Sequence, residues 1–157
     1  MKFDFLSNHP EHKRTIAEWH FDEWGSHVVG GTLDQTLDGL NEYCRPGNSI
    51  PFALLALDND ELAGVAQLKH HELKTYYPDL TPWLGGVYVP TNRRNLGIAR
   101  KLVSRAIELA VKLGVERIYL HTKQLDGGIY KHLGWKPLFL HQGQNSETVV
   151  MELHVNT

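Results

Sequence analysis

The sequence predicts an α/β fold in which one mixed, mostly antiparallel sheet is flanked by helices. Three observations carry that expectation. Two nearly continuous apolar runs, residues 50–57 and 62–68, are joined by Asp58-Asn59-Asp60-Glu61, which is turn chemistry between two buried strands. Farther on, Ile98, Leu102, Ala106, Ala110 and Leu113 recur at helical spacing with Val103, Ile107 and Val111 beside them. Arg100, Lys101, Arg105, Glu108 and Lys112 fall largely outside that stripe, so this is an amphipathic helix. The short apolar segments after it do not alternate regularly with helices, which excludes a repeating parallel βαβ sheet.

Each element has a local reason. Residues 1–6 read as a short strand with Phe3 and Phe5 on one face. Asn8-His9-Pro10-Glu11 is helix-start chemistry, and Ile16, Trp19, His20 and Trp24 carry a helix to about Trp24, where Gly25, Gly30 and Gly31 interrupt it. A second helix begins at Thr32 with Leu33, Leu37 and Leu40 as its apolar stripe, and must end before Pro46-Gly47. Beyond Pro78 and Pro82, residues 83–89 form the strand that follows the hairpin; it contains Gly85-Gly86 and is closed by Pro90-Thr91-Asn92. Gly114 is placed to cap the long helix. Residues 117–121 are a strand, 126–133 a short helix stopped by Gly134, and 135–141 and 148–155 two closing strands. The order is β-α-α-β-β-β-α-β-α-β-β.

Composition narrows the function. The 157 residues amount to one domain, 1–157, with 41% apolar and 22% charged residues, as in an ordinary soluble protein. A net charge of −2 gives no basic excess for nucleic acid or an anionic membrane, and neither is expected as a partner. Ten histidines would turn the net charge positive below about pH 6. Cys44 is alone, so no intramolecular disulfide and no Cys-rich zinc site is expected, and nothing around it resembles a nucleophile motif. His-Glu-x-x-His is absent, so no metal is expected. Neither a signal-peptide pattern nor a run of roughly 18 apolar residues is present, and the expected location is cytoplasmic.

One segment carries chemistry. Val87, Tyr88 and Val89 lead through Pro90-Thr91-Asn92-Arg93-Arg94-Asn95-Leu96 into a helix whose first turn holds Gly97, Ile98 and Ala99. Free N–H groups and the dipole at a helix N-terminus attract an anion, and small residues allow a phosphate close to the backbone. Arg93, Arg94 and Arg100 add cationic charge. A Walker loop is excluded because Gly-Lys-Ser/Thr does not occur, and the three-glycine dinucleotide fingerprint is missing as well.

Arg94-Asn95-Leu96-Gly97-Ile98-Ala99 resembles the Gln/Arg-x-x-Gly-x-Gly/Ala signature of the GNAT family of acetyl-CoA-dependent N-acetyltransferases. Tyr130-Lys131-His132-Leu133-Gly134-Trp135 is similar to a second family element, Tyr-x-x-Leu-Gly-Phe/Trp. The resemblance covers residues 50–135 well and the first 49 only through element order. Three departures stand out. Asn95 replaces a common glycine, Pro90 follows its strand one position early, and Lys123 replaces an Asn that often contacts CoA.

The resemblance implies a GNAT fold and transfer of acetyl from acetyl-CoA to a primary amine by direct attack. The pyrophosphate would lie on Arg94, Asn95, Leu96, Gly97, Ile98, Ala99 and Arg100, and a backbone N–H among Val87, Tyr88 and Val89 would meet the oxyanion. Tyr130 matches the family's tyrosine that protonates the CoA thiolate. The strand over 83–89 has no carboxylate, so the base candidates are Glu72, His70 and His71, placed at the end of the preceding strand, while His121 reads as a sheet histidine. The acceptor wall would include Trp24 and His27, from an aromatic-acidic group with Trp19, His20 and Glu23, together with Tyr77. Two other readings stay open: a non-catalytic acyl-CoA-binding module, and transfer of a larger acyl group beside Gly85-Gly86. The chain is expected as a monomer, or as a homodimer pairing through an exposed final strand.

Overall fold

The structure is a computed structural model that describes residues 1–25, 31–143 and 146–155. Its strands are β1 (Lys2–Phe5), β2 (Phe52–Asp58), β3 (Glu61–Lys69), β4 (Trp83–Tyr88), β5 (Arg117–Thr122), β6 (Lys136–Gln142) and β7 (Glu147–His154). Its helices are α1 (Lys13–His20), α2 (Leu33–Gly39), α3 (Ile98–Lys112) and α4 (Gly128–His132). The seven strands form one sheet in the order β1-β2-β3-β4-β5-β7-β6, antiparallel throughout except for β4 and β5.

Both faces of the sheet centre are covered, which is why β2 and β3 read as continuous apolar runs rather than alternating ones. Phe52, Leu54, Ala66 and Leu68 pack with Leu102, Val103 and Ala106 of α3 on one face. Ala53, Leu55, Leu57 and Val65 pack with Ile16 of α1 and Leu40 beyond α2 on the other. A Cβ at Gly64 would collide with Leu102, so the absence of a side chain there sets the approach of α3 to β3. The segment between β3 and β4 folds over a smaller cluster of Trp83, Tyr119 and Val150, which it covers with Leu73, Tyr77 and Leu80.

Several boundaries differ from the sequence reading, each for a local reason. Short 3-10 turns over Leu6–Asn8 and Pro10–His12 precede α1, and past His20 the helix widens into a π-type turn over Phe21–Gly25. Thr32 caps α2 as expected, its hydroxyl accepting the Gln35 N–H at 3.1 Å. Helix α4 starts later than residue 126 because Gly127 has φ +91°, outside the helical region. The final strand is not an exposed edge. β7 lies between β5 and β6, so β6 takes the edge, with Leu138, Phe139 and Leu140 at the surface.

Two irregularities shape the sheet around β4. Between Gln67↔Gly85 and Val65↔Tyr88, β4 carries one more residue than β3, a bulge at which Gly86 adopts φ +59°. β4 and β5 share a single registered pair, Trp83↔Tyr119. Beyond it the parallel strands diverge, leaving the β5-facing backbone groups of β4 without a strand partner.

Candidate active site

The turn from β4 into α3 is built by backbone conformation. Asn95 has φ +65° and Gly97 φ +79°, so the chain makes two left-handed steps before α3 begins. Asn tolerates that region, and glycine enters it without strain. Gly97 is the N-cap and supplies no side-chain hydrogen bond; a Cβ built on it meets nothing within 4 Å. The first intrahelical bond of α3 runs from Lys101 N–H to Gly97 O at 3.1 Å, so the N–H groups before Lys101 stand open to that space. Such a terminus accepts a phosphate.

The arginines divide the work. Arg93 is bound to the β2–β3 hairpin, Nη1 to Asp58 at 2.9 Å and Nη2 to Glu61 at 2.6 Å. Its charge is therefore neutralised, against the sequence expectation that it adds to the anion site. Arg94 donates Nε–H to the Val89 carbonyl at 2.8 Å and lies over the Tyr88 ring, which closes the turn, and the residue is exposed. Arg100 is exposed on the first turn of α3. Val89 and Ile98 are buried in the core, so only their backbone is offered to a ligand, whereas Leu96 is exposed.

On the other side of the β4 bulge lies a polar cluster made from separate segments. Lys69 Nζ is 2.9 Å from Glu72 Oε1, and His121 Nε2 is 2.7 Å from Glu72 Oε2. Each of the three side chains is about a quarter exposed or less. His121 Nδ1 lies 3.2 Å from the Thr148 hydroxyl. Burial works to raise the Glu72 pKa, but the Lys69 ammonium and the His121 hydrogen bond outweigh it and hold the carboxyl down at about 2. A side chain at Gly85 would strike Glu72 Oε1 and the Lys69 stem, so the cluster rests directly on β4. At Gly86 the neighbours are Gln67 and His20. His20 donates Nε2–H to the Gly86 carbonyl at 2.9 Å and fixes the bulged peptide. Burial depresses the His20 pKa to about 4, against the pull of that carbonyl, so the ring is neutral near pH 7.

Tyr130 sits on α4, edge-on to Trp135 with ring centroids 6.1 Å apart. Burial, and then the Glu72 charge, push its pKa up to about 12, so it keeps its proton at neutral pH. Its hydroxyl has no hydrogen-bond partner among the described residues. The other predicted residues scatter. Glu72 lies beyond β3 rather than on its end, with both oxygens engaged. Trp24 packs against His20. Tyr77 places its hydroxyl 2.7 Å from His141 Nδ1, tying the β3–β4 connection to β6. His27 lies outside the described residues.

The family model of the acetyltransferase (GNAT) family matches residues 12–135. The chain belongs to that family. An aminoglycoside 6'-N-acetyltransferase complexed with coenzyme A is 18% identical, with a TM-score of 0.77 over 100% of this chain and 98% of the other. An aminoglycoside 6'-N-acetyltransferase from Enterococcus faecium is 18% identical, with a TM-score of 0.74 over 100% and 98%. A ribosomal-protein-alanine N-acetyltransferase from Brucella melitensis is 17% identical, with a TM-score of 0.71 over 98% and 99%. At such identities the likeness shows the GNAT fold, and acceptors as different as these share it. Comparison with curated proteins gives no match.

Within this family frame, Lys69, Gln67 and the partnership of His121 with Glu72 escaped the sequence reading. Lys69 had a signal: a cation ending an apolar run, three residues before an acid. Nothing local in the sequence joins His121 to Glu72.

Proposed function

We propose that the chain is an N-acetyltransferase that moves acetyl from acetyl-CoA to a primary amine, with Tyr130 as the acid. The observation that carries this reading is the open left-handed turn at Gly97 beside the divergent strands β4 and β5. Those features fit the cofactor: the free α3 N–H groups with Arg94 and Arg100 suit a pyrophosphate, and the cleft between β4 and β5 suits an extended arm. Acetyl-CoA would supply an activated thioester and a thiolate leaving group.

The chain's own groups then have separate tasks. Unpartnered N–H groups of β4 face the cleft, aimed at negative charge on an acyl oxygen. The new N–C bond forms as the C–S bond breaks; the amine proton passes to the Thr148 hydroxyl as that hydroxyl gives its own to His121 Nδ1, and Tyr130 O–H delivers a proton to sulfur. Glu72, held ionised by Lys69, orients His121 and stabilises the imidazolium, so it acts through the histidine. Trp24 and Tyr77 wall the acceptor side. A cytoplasmic setting belongs to the same reading and suits the free Cys44.

Calorimetric titration of acetyl-CoA and free CoA, on the wild type and on Gly97→Trp, tests it. A Cβ at Gly97 meets nothing within 4 Å, but φ +79° strains any side chain there, so the fold of the variant is checked by circular dichroism beside the titration. Binding abolished by the variant, with thiol release in the presence of an amine, is the expected result. A wild type that binds neither ligand overturns the reading.

A further inference from the structure

We infer that the acceptor is a primary amine that also carries an anionic group, a carboxylate or a phosphate, seated in a basic groove beside Lys69; this rests on the reading above. The groove has a volume of about 580 Å³, which is the size of a small-molecule site, and lies between the end of α2, the start of β2 and the residues after β3. Arg45, His70, His71, Lys74 and Lys69 line it, with Glu42 as its carboxylate.

Its charge is local and uncommitted. The whole chain is slightly acidic at −2, yet here two cations, Arg45 and Lys74, face a single acid. Neither has an ion-pair or hydrogen-bond partner among the described residues. His70 is used otherwise, donating Nε2–H to the Ile50 carbonyl at 3.1 Å. His71 is the second observation. The residue lines the groove while its Nδ1 is buried without a hydrogen-bond partner among the described residues, a polar atom left unsatisfied beside the groove.

The groove adjoins the transfer point through one residue. Lys69 lines it, yet its Cε lies 3.1 Å from where a Gly85 Cβ would stand, and its ammonium is committed to Glu72. An anion held by Arg45 and Lys74 therefore lies one side chain away from the β4 bulge, where the amine must arrive. Arginine binds carboxylate or phosphate in a bidentate manner, and lysine adds a point charge. A polycation such as an aminoglycoside would meet repulsion here.

Thiol release is measured with matched amines: β-alanine against propylamine, phosphoethanolamine against ethanolamine, and spermidine as the polycation. In parallel, inorganic phosphate is titrated while the His71 imidazole is followed by NMR, which separates this groove from the α3 N-terminus. Both measurements are repeated on Arg45→Gln/Lys74→Gln.

The anionic member of at least one pair is expected to win, and which pair separates a carboxylate from a phosphate. In the double variant kcat/KM for that amine should fall about tenfold further than for its neutral partner, mainly through KM. Phosphate should shift His71 saturably in the wild type and not in the variant. Preference for spermidine or the neutral amines, or a His71 response that survives the double substitution, overturns the inference. If acetyl-CoA fails to bind while phosphate still shifts His71 as described, the transferase reading falls and the anion groove stands.

Discussion

The two halves of the candidate site are made in different ways. The cofactor side is one continuous segment, Val89 to Arg100, whose shape comes from backbone angles at Asn95 and Gly97 and from one guanidinium closing on the Val89 carbonyl. The proposed acceptor side is assembled by side chains: Lys69 ends β3 and Glu72 lies three residues beyond it, but His121 comes from β5 and His20 from α1. A backbone-built half should tolerate side-chain changes elsewhere. A side-chain-built half should fail piece by piece while cofactor affinity survives.

The largest effect should come from Tyr130→Phe. The hydroxyl has no partner among the described residues to lose, so stability should change by about 0.5 kcal/mol or less. If it is the acid, kcat should fall about a hundredfold to a thousandfold with acetyl-CoA affinity unchanged. Single-turnover kinetics with a thiol readout checks this; a kcat within a few-fold of wild type would remove Tyr130 from the chemistry. Because its pKa lies at about 12, no loss of activity assignable to its ionisation is expected at neutral or mildly basic pH.

Acid should then weaken the acceptor side in two successive windows. His20 titrates at about 4 when folded and near 6.5 when unfolded. Between those values the unfolded chain holds a proton that the folded one does not, so stability falls as pH drops from 6.5 to about 4, by about 3 kcal/mol at most. Glu72, at about 2 folded and 4.5 unfolded, stabilises fully above 4.5 and loses that contribution as pH falls through 4.5 toward 2. Urea unfolding across pH should show the upper window flattened in His20→Gln, which keeps a donor for the Gly86 carbonyl. An unchanged slope in that variant would refute the assignment.

Next in size is Glu72→Gln. Removing one partner of a largely buried ion pair leaves Lys69 uncompensated, and with about a fifth of each side chain in water the loss should be about 2–3 kcal/mol. Glu72→Gln/Lys69→Met should regain most of that stability without regaining activity, since the glutamine oxygen can still accept from His121 but the negative charge that stabilises an imidazolium is gone. Denaturant curves and turnover on the same samples separate the two; activity returning with stability would mean that the carboxylate only holds the fold.

This contrast also explains what could be read from the sequence. The order of elements along the chain, the long helix and the signature turn depend on neighbours a few residues apart, and period and glycine placement report them directly. Asn95 at φ +65° is such a case: residue type alone predicts the left-handed step. The Glu72–His121 pair depends on the β3–β4 connection folding back over β4 and β5, a tertiary event with no period. The place of β7 inside the sheet is equally non-local, because a terminal strand carries no mark of whether it ends at an edge or between two others.

The smallest effect tests whether the cofactor side is wholly built by its backbone. Arg93 ties the signature turn to Asp58 and Glu61 across the β2–β3 hairpin. If it is an anchor, Arg93→Ala should lower stability by about 1 kcal/mol and weaken acetyl-CoA binding only a few-fold, with the difference shrinking at high salt. Asp58→Asn/Glu61→Gln should then weaken binding to the same small extent, because it cuts the same tie from the other end. If Arg93 instead serves as a phosphate ligand, freeing it from both acids should tighten binding. Titration of acetyl-CoA into the two variants, side by side, reads the sign directly; tightening in the acid variant would move Arg93 from scaffold to site.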